Sequence, residues 1–217
     1  KILDFCSKKN IPLIYASSAA VYGDGKNGFE ENEYCENPLN LYALSKLMFD
    51  NYVRLFLSNS LNHSSVIGLR YFNVFGYNES HKGSMTSVPF KIYNQINTNN
   101  EINLFKGSEN FYRDFIFIDD IVDIVYYFMN NLQSGIFNCG TGKINSFQDM
   151  ANIIMNFYPG NKIKYINFPK ELENKYQIYT KSNIKNLRNT GCNIPFTSLD
   201  QGIKKYFNYL KNRQDMK

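Results

Sequence analysis

An α/β fold, in which part of a parallel sheet is joined by helical crossovers and followed by a smaller mixed α/β cap, is what this sequence predicts. Three observations carry that prediction. Leu13-Ile14-Tyr15-Ala16-Ser17 and residues 66–72 are continuous apolar runs of strand length, the pattern of strands covered on both faces rather than one. Polar, Gly-containing loops bound these runs. Stretches with apolar residues at helical spacing separate them.

Taken in order, residues 1–10 read as the end of a helix carrying Ile2, Leu3, Phe5 and Cys6, and Pro12 opens the first strand. A polar loop with Gly23, Gly25, Gly28 and Pro38 follows, and a helix starts near Asn40 with Leu44, Met48, Tyr52 and Leu55 at helical spacing. The second strand covers residues 66–72. After another polar loop come a helix over 88–96, a short strand over 102–105 ended by Lys106-Gly107, and a strand over 115–118 that feeds a helix at Asp119-Asp120. That helix presents Ile121, Val125, Phe128 and Met129 together, and residues 135–139 form a further strand. A helix from Ser146, a strand near 163–166 and helices near Lys181 and Leu199 complete the cap. No internal repeat and no long linker interrupts the pattern.

Composition excludes several classes of protein. At 217 residues and 25.3 kDa the chain can bury one sizeable core, and 43% hydrophobic with 20% charged residues disfavours disorder. No apolar run reaches the roughly 18–20 residues of a membrane span, and no secretory leader opens the chain, so a soluble cytoplasmic protein is expected. Cys6, Cys35, Cys139 and Cys192 are scattered without a C-x-x-C pair, and His63 and His81 are the two histidines, which argues against a zinc site or a disulfide framework. The net charge of +5 is spread along the chain apart from a basic C-terminal tail, a distribution that fits a modest anionic ligand better than nucleic acid. Residue 1 is Lys, and the chain opens in mid-element.

Two Gly-rich segments imitate phosphate loops. Residues 23–28 match G-x-G-x-x-G, but acidic Phe29-Glu30-Glu31-Asn32-Glu33 follows in place of an amphipathic helix, so a surface loop is expected. Gly140-Thr141-Gly142-Lys143 lacks both the earlier Gly and the later Ser or Thr of a P-loop and reads as a strand-to-helix turn. Tyr-x-x-x-Lys occurs three times, at Tyr22/Lys26, Tyr42/Lys46 and Tyr158/Lys162. Gly23 and Gly25 interrupt the first and Pro159-Gly160 the third, so only Tyr42 and Lys46 stack on one helix face. A phenol, with a reference pKa of about 10, is a poor base at neutral pH, and an ammonium one turn away favours its phenolate. A core Tyr beside a solvated Lys is the plain alternative. Ser17 and Ser18 tip the balance, because ligands of open parallel sheets bind beyond the carboxyl ends of strands, and Ser18 precedes Tyr42 by 24 residues.

Together the strand-end Ser, Tyr42-x-x-x-Lys46 and Arg70-Tyr71-Phe72-Asn73-Val74-Phe75-Gly76 resemble the extended short-chain dehydrogenase/reductase family, with its Rossmann-like sheet. A narrower resemblance, from residue 1 to about residue 210, is to the ADP-L-glycero-D-manno-heptose 6-epimerases. It rests on Asn73-Val74-Phe75-Gly76, His81-Lys82-Gly83-Ser84-Met85, Phe105-Lys106-Gly107-Ser108-Glu109-Asn110-Phe111, Arg113-Asp114-Phe115 and Gly135-Ile136-Phe137-Asn138. The resemblance implies NADP as cofactor, a nucleotide-sugar substrate, homo-oligomers and a role in lipopolysaccharide core synthesis. It implies acid/base roles for Tyr42 and Lys82, one per face of the sugar, and a hydrogen bond from Ser18 to the reacting oxygen. Lys46, Val74 and Lys82 fall at cofactor positions. Asn73, Ser84, Lys91, Phe105, Lys106, Gly107, Ser108, Arg113 and Tyr176 fall at substrate positions, with Arg113 suited to a diphosphate by its planar fork. Residues 1–75 and 114–140 would belong to the cofactor-binding domain, and residues 76–113 and 141–217 to the substrate-binding cap.

Taken singly, several of these residues have plainer readings. Lys82 in a polar, Gly-flanked loop is by itself a surface charge, and Arg113 beside Asp114 reads as a surface ion pair. Asp119-Asp120 reads as a helix N-cap, and the sequons at Asn62 and Asn78 carry no weight without a secretory leader. Lys91 stands where relatives commonly carry His. The family begins with a strand, a Gly-rich turn and a helix that hold the cofactor's pyrophosphate, and none precedes Lys1, so the chain is expected to lack roughly the first third of such an enzyme. A different nucleotide-sugar epimerase or dehydratase, or an inactive remnant, are the alternatives.

Overall fold

The computed structural model describes residues 1–59, 64–169 and 177–214. Its elements run α1 (Ile2–Lys8), β1 (Leu13–Ser18), α2 (Leu41–Asn59), β2 (Val66–Tyr71), β3 (Asn73–Phe75), α3 (Val88–Asn99), β4 (Glu101–Phe105) and β5 (Tyr112–Arg113). Then follow β6 (Phe115–Phe117), α4 (Ile118–Asn130), β7 (Gly135–Cys139), β8 (Asn145–Ser146), α5 (Phe147–Phe157), β9 (Lys162–Ile166), α6 (Lys185–Asn189) and α7 (Leu199–Gln214). The expected parallel sheet forms in the order β1-β2-β7, with Leu13 opposite Val66 and Ile67 opposite Gly135. Two-stranded pairs flank it: β3 with β6 and β4 with β9, both parallel, and β5 with β8, antiparallel.

The two faces of the three-stranded sheet are built differently. On one, Ile67, Leu69, Phe137 and Cys139 pack under Ile121, Ile124 and Phe128 of α4, an apolar interface. Each such fully buried side chain contributes about 1.5–3 kcal/mol. On the other, the register places Tyr15 and Ser17 beside Gly68 and Arg70. Gly68 is required there, since a Cβ would stand 2.5 Å from the Tyr15 hydroxyl. Val53 of α2 packs on Leu3 and Val66 at the far end of this face. A separate core joins α3, α5 and α7 around Ile92, Met150, Ile154, Ile203 and Phe207.

Several expectations are corrected. The stripe Leu44, Met48, Tyr52 and Leu55 does not face the core: these residues are 41%, 65%, 48% and 62% exposed, while Ala43, Asp50 and Val53 turn inward. Met129 likewise lies outside the buried face of α4, which is Ile121, Ile124 and Phe128. The strand expected over 66–72 divides at Phe72, whose N–H donates to the Cys139 carbonyl, and the chain leaves the sheet to pair as β3 with β6. No helix starts at Lys181; Asn183 Oδ1 accepts from Lys185 N–H and delays the helix to Lys185–Asn189. Asp119 and Asp120 do not cap α4. Phe117 is the N-cap, and the Asp120 carboxylate instead accepts from the Thr197 N–H and hydroxyl, tying down the approach to α7.

Candidate active site

Beyond the carboxyl end of β2 the chain borders a cleft of about 570 Å³, within the range of small-molecule sites. Tyr42 from the first turn of α2, Asn73 and Val74 of β3, Lys82, Arg113 of β5 and Gln177 line it. Five of these six were legible in the sequence; Gln177, whose side-chain N–H donates to the Gly23 carbonyl, was not.

Tyr42 stands at the start of α2 because Asn40 caps the helix, its Oδ1 accepting from the Ala43 N–H. The ring is 57% exposed, with the Lys46 ammonium 5.7 Å from its centroid. Lys46 Nζ also donates to the Ala16 carbonyl at 3.0 Å, which anchors it over the end of β1. Ser17 and Ser18 point to opposite faces. The Ser17 hydroxyl donates to Asp50, and Ser18 Oγ accepts from the Ala20 N–H as the cap of a short 3-10 turn, which leaves the half-buried Ser18 hydroxyl its own proton to donate. Ser84 shares a 3-10 segment with Lys82, and both are exposed. Lys91 is exposed on α3. Phe105 is half-buried, Lys106 donates its N–H to the Ile166 carbonyl, and Ser108 is fully buried after Gly107. The buried Ser108 hydroxyl has no hydrogen-bond partner among the described residues. Tyr176 lies outside the described residues.

Arg113 and Asp114 do not form the expected surface ion pair. Both are buried. The Arg113 guanidinium donates to the Tyr112 carbonyl and stacks 5.5 Å from the Phe147 ring centroid. The Asp114 carboxylate turns the other way and accepts from the N–H groups of Thr141, Gly142 and Ser182 and from the hydroxyls of Thr141 and Ser182. Hence the Gly140-Thr141-Gly142 turn cannot cradle a phosphate: its amides already hold an internal anion. Residues 23–28 also lead into no helix, only a 3-10 turn at Glu33–Cys35. Among the described residues neither Gly-rich segment is built as a pyrophosphate cradle.

Beneath the cleft, a buried ionic network fastens α2 to the sheet. Arg70, 0% exposed in the middle of the sheet, donates from Nε to Asp50 Oδ2, from Nη1 to the Tyr22 hydroxyl and from Nη2 to Glu36. Asp50 also accepts from the hydroxyls of Tyr15 and Ser17, and Arg54 grips both oxygens of Glu36. Two cations thus meet two anions in a low-dielectric interior, with the remaining donors and acceptors satisfied. Asp50 lies two helical turns after Tyr42 and one after Lys46, so the network sets the position of that pair relative to β1. Sequence reasoning passed over it, although one signal was present: a charged Arg70 inside an apolar strand.

Burial by itself would raise the Glu36 carboxyl, but hydrogen bonds from Arg54 and the charge of Arg70 outweigh it and hold the group below the usual carboxylate range. A carboxylate depressed in the folded state contributes stability above its unfolded pKa of about 4.3, and that stability is lost as pH falls through the folded value. The thermal midpoint is therefore expected to fall as pH drops from 5 to 3. Glu36→Gln should flatten that part of the slope; an unchanged slope would exclude Glu36 as its source.

The family model described as "NAD dependent epimerase/dehydratase family" matches residues 1–140. An ADP-L-glycero-D-manno-heptose-6-epimerase of Brachyspira hyodysenteriae is 51% identical over 212 residues, 97% of this chain and 66% of the relative. The crystal structure of the Helicobacter pylori ADP-L-glycero-D-manno-heptose-6-epimerase superposes with a TM-score of 0.85 at 30% identity, covering 97% of this chain and 63% of that one. A UDP-N-acetylglucosamine 4-epimerase from Methanobrevibacter ruminantium shares the fold at a TM-score of 0.84 and 21% identity, covering 96% of this chain and 66% of that one. The chain thus spans just under two thirds of the length of these relatives. With that family model matching residues 1–140, more than half of its length, the chain belongs to the NAD dependent epimerase/dehydratase family.

Proposed function

We propose that this chain carries the acid/base and substrate-binding face of a cytoplasmic, homo-oligomeric ADP-L-glycero-D-manno-heptose 6-epimerase that uses NADP and supplies the heptose donor for lipopolysaccharide core. The observation that carries the reading is the cleft itself, in which two proton-carrying groups from separate segments, Tyr42 of α2 and Lys82, border one space with Asn73 and Arg113. The 51% identity to a relative of that name over 97% of the chain supports the same reading.

When bound, the cofactor supplies reversible hydride transfer at C6 of the heptose. The residues present fit the nicotinamide end of such a molecule: Lys46, fixed on the Ala16 carbonyl, would hold the ribose, and Val74 and Lys82 would complete the wall. Tyr42 takes the proton of the C6 hydroxyl on one face of the sugar, and Lys82 serves the other face, so that inversion needs no net change in proton count. Arg113, on the wall of the cleft, binds diphosphate oxygens. Residues 76–113 and 141–217 form the substrate-binding cap in this reading, residues 1–75 and 114–140 the cofactor side.

A panel of nucleotide sugars tests the proposal in the native protein. ADP-D-glycero-D-manno-heptose should be converted to its C6 epimer in the presence of NADP. Turnover of a UDP-hexose but not of ADP-heptose would assign the cleft to another epimerase or dehydratase, and no turnover of any sugar would make the chain an inactive remnant.

A further inference from the structure

Lys82 sits in an exposed segment that nothing in its own neighbourhood should hold still. Residues 80–85 are all exposed, and Gly83, at φ 55° and ψ −123°, divides the segment into two short 3-10 turns with no atom within 4 Å of where a Cβ would be. A side chain that must meet a reacting atom to within an ångström cannot rely on such a loop unless its feet are fixed.

Both feet are fixed, by one residue. Glu79, 4% exposed, accepts the Ser87 N–H at 2.6 Å on Oε2 and the Ser87 hydroxyl on Oε1, which closes the 79–87 segment across its base. Its Oε1 also accepts the hydroxyl of Tyr206 at 2.8 Å, from the buried face of α7. The Glu79 carbonyl accepts the Lys82 N–H, and Thr86 donates its N–H and its hydroxyl to the Gly83 carbonyl. The preceding Asn78, at φ 60°, is gripped by the same helix: its Oδ1 accepts from the Tyr209 hydroxyl and from Arg213. Ser87 is in turn the N-cap of α3, so the carboxylate fastens the loop to two helices at once.

We propose that Glu79 is a positioning residue for Lys82: held from α7 by Tyr206, it clamps both ends of the 79–87 segment and so fixes where Lys82 stands at the cleft. The proposal rests on the proton-carrying role assigned to Lys82 above. Its chemistry predicts a ranking of variants. Glu79→Gln presents an amide N–H where the site supplies three donors, so it both loses acceptors and opposes donor to donor. Tyr206→Phe removes a single donor and leaves the carboxylate on Ser87.

Two readouts test it. Trypsin cuts after Lys82 only when the segment opens, so in Glu79→Gln that cut should accelerate about tenfold relative to cuts elsewhere in the chain, and less in Tyr206→Phe. In the native protein, kcat for ADP-heptose should fall about tenfold in Glu79→Gln and less in Tyr206→Phe, with KM within about twofold of the unsubstituted enzyme. Unsubstituted cutting and kcat in both variants would overturn the proposal. So would an increase shared by all cleavage sites together with a lower thermal midpoint, since that is general destabilisation. If the unsubstituted native protein turns over no ADP-heptose, the functional reading fails, and the selective cut after Lys82 still decides whether the clamp exists.

Discussion

Tyr42→Phe in the native protein is expected to slow conversion of ADP-heptose by about 10²–10⁴-fold while leaving its KM within a few-fold. The substitution removes one oxygen and keeps the ring that lines the cleft. Because the ring is more than half exposed, the folded state should be nearly indifferent to the change, and the thermal midpoint is the control. Lys82→Met is expected to give a loss of the same order, since inversion needs a proton carrier on each face of the sugar. The two losses should not multiply: once either face is disabled, epimerisation cannot complete, and the second substitution adds little. Steady-state kinetics with an NADP-loaded enzyme decide the matter. Retention of the unsubstituted rate in both variants would remove Tyr42 and Lys82 from the chemistry.

The largest effect on stability is expected at Asp50. Asp50→Ala strips Arg70 of the carboxylate that it meets through both Nε and Nη2 and leaves the Tyr15 and Ser17 hydroxyls without their acceptor, in a site where Asp50 and Arg70 are both fully buried. Breaking a buried pair from one side costs about 3–5 kcal/mol, and the contact that Arg70 keeps with Glu36 places the expected loss at the lower end. Arg70→Met should cost a similar amount, since it leaves the buried Asp50 carboxylate with two hydroxyl donors and no cation in contact among the described residues, while Glu36 keeps Arg54. Combining the substitutions should cost less than the sum, as expected for two members of one network. Denaturant titration followed by circular dichroism measures all three. A loss below about 1 kcal/mol in Asp50→Ala would show that water reaches the site and that the network does not fasten α2.

The exposed stripe on α2 shows where sequence reading has to stop. Leu44, Met48, Tyr52 and Leu55 repeat at helical spacing, and that spacing correctly placed a helix. It could not say which side of the helix meets the sheet. The side that does carries Ala43, Asp50 and Val53, a small residue, a charge and one aliphatic, chosen to fit the strand face where Arg70 lies. The same limit applies to Arg113-Asp114. Adjacent opposite charges suggested a surface pair, but alternation along an extended chain sends neighbours to opposite sides, one toward the cleft and one toward the Gly140 turn.

By itself the sequence determined the α/β class, the single helical Tyr42/Lys46 pair among three copies of the motif, and the failure of both Gly-rich segments as phosphate loops. All three depend on spacings of a few residues, which local backbone geometry converts directly into shared faces and turns. Tertiary structure alone decided which helix face is buried, that Arg70, Asp50 and Glu36 meet beneath the cleft, and that α7 reaches back to hold the Lys82 segment. Those contacts join residues as far apart as Glu79 and Tyr206, 127 positions along the chain. Their formation depends on desolvation and on the geometry of distant elements, for which no local spacing in the sequence is a code.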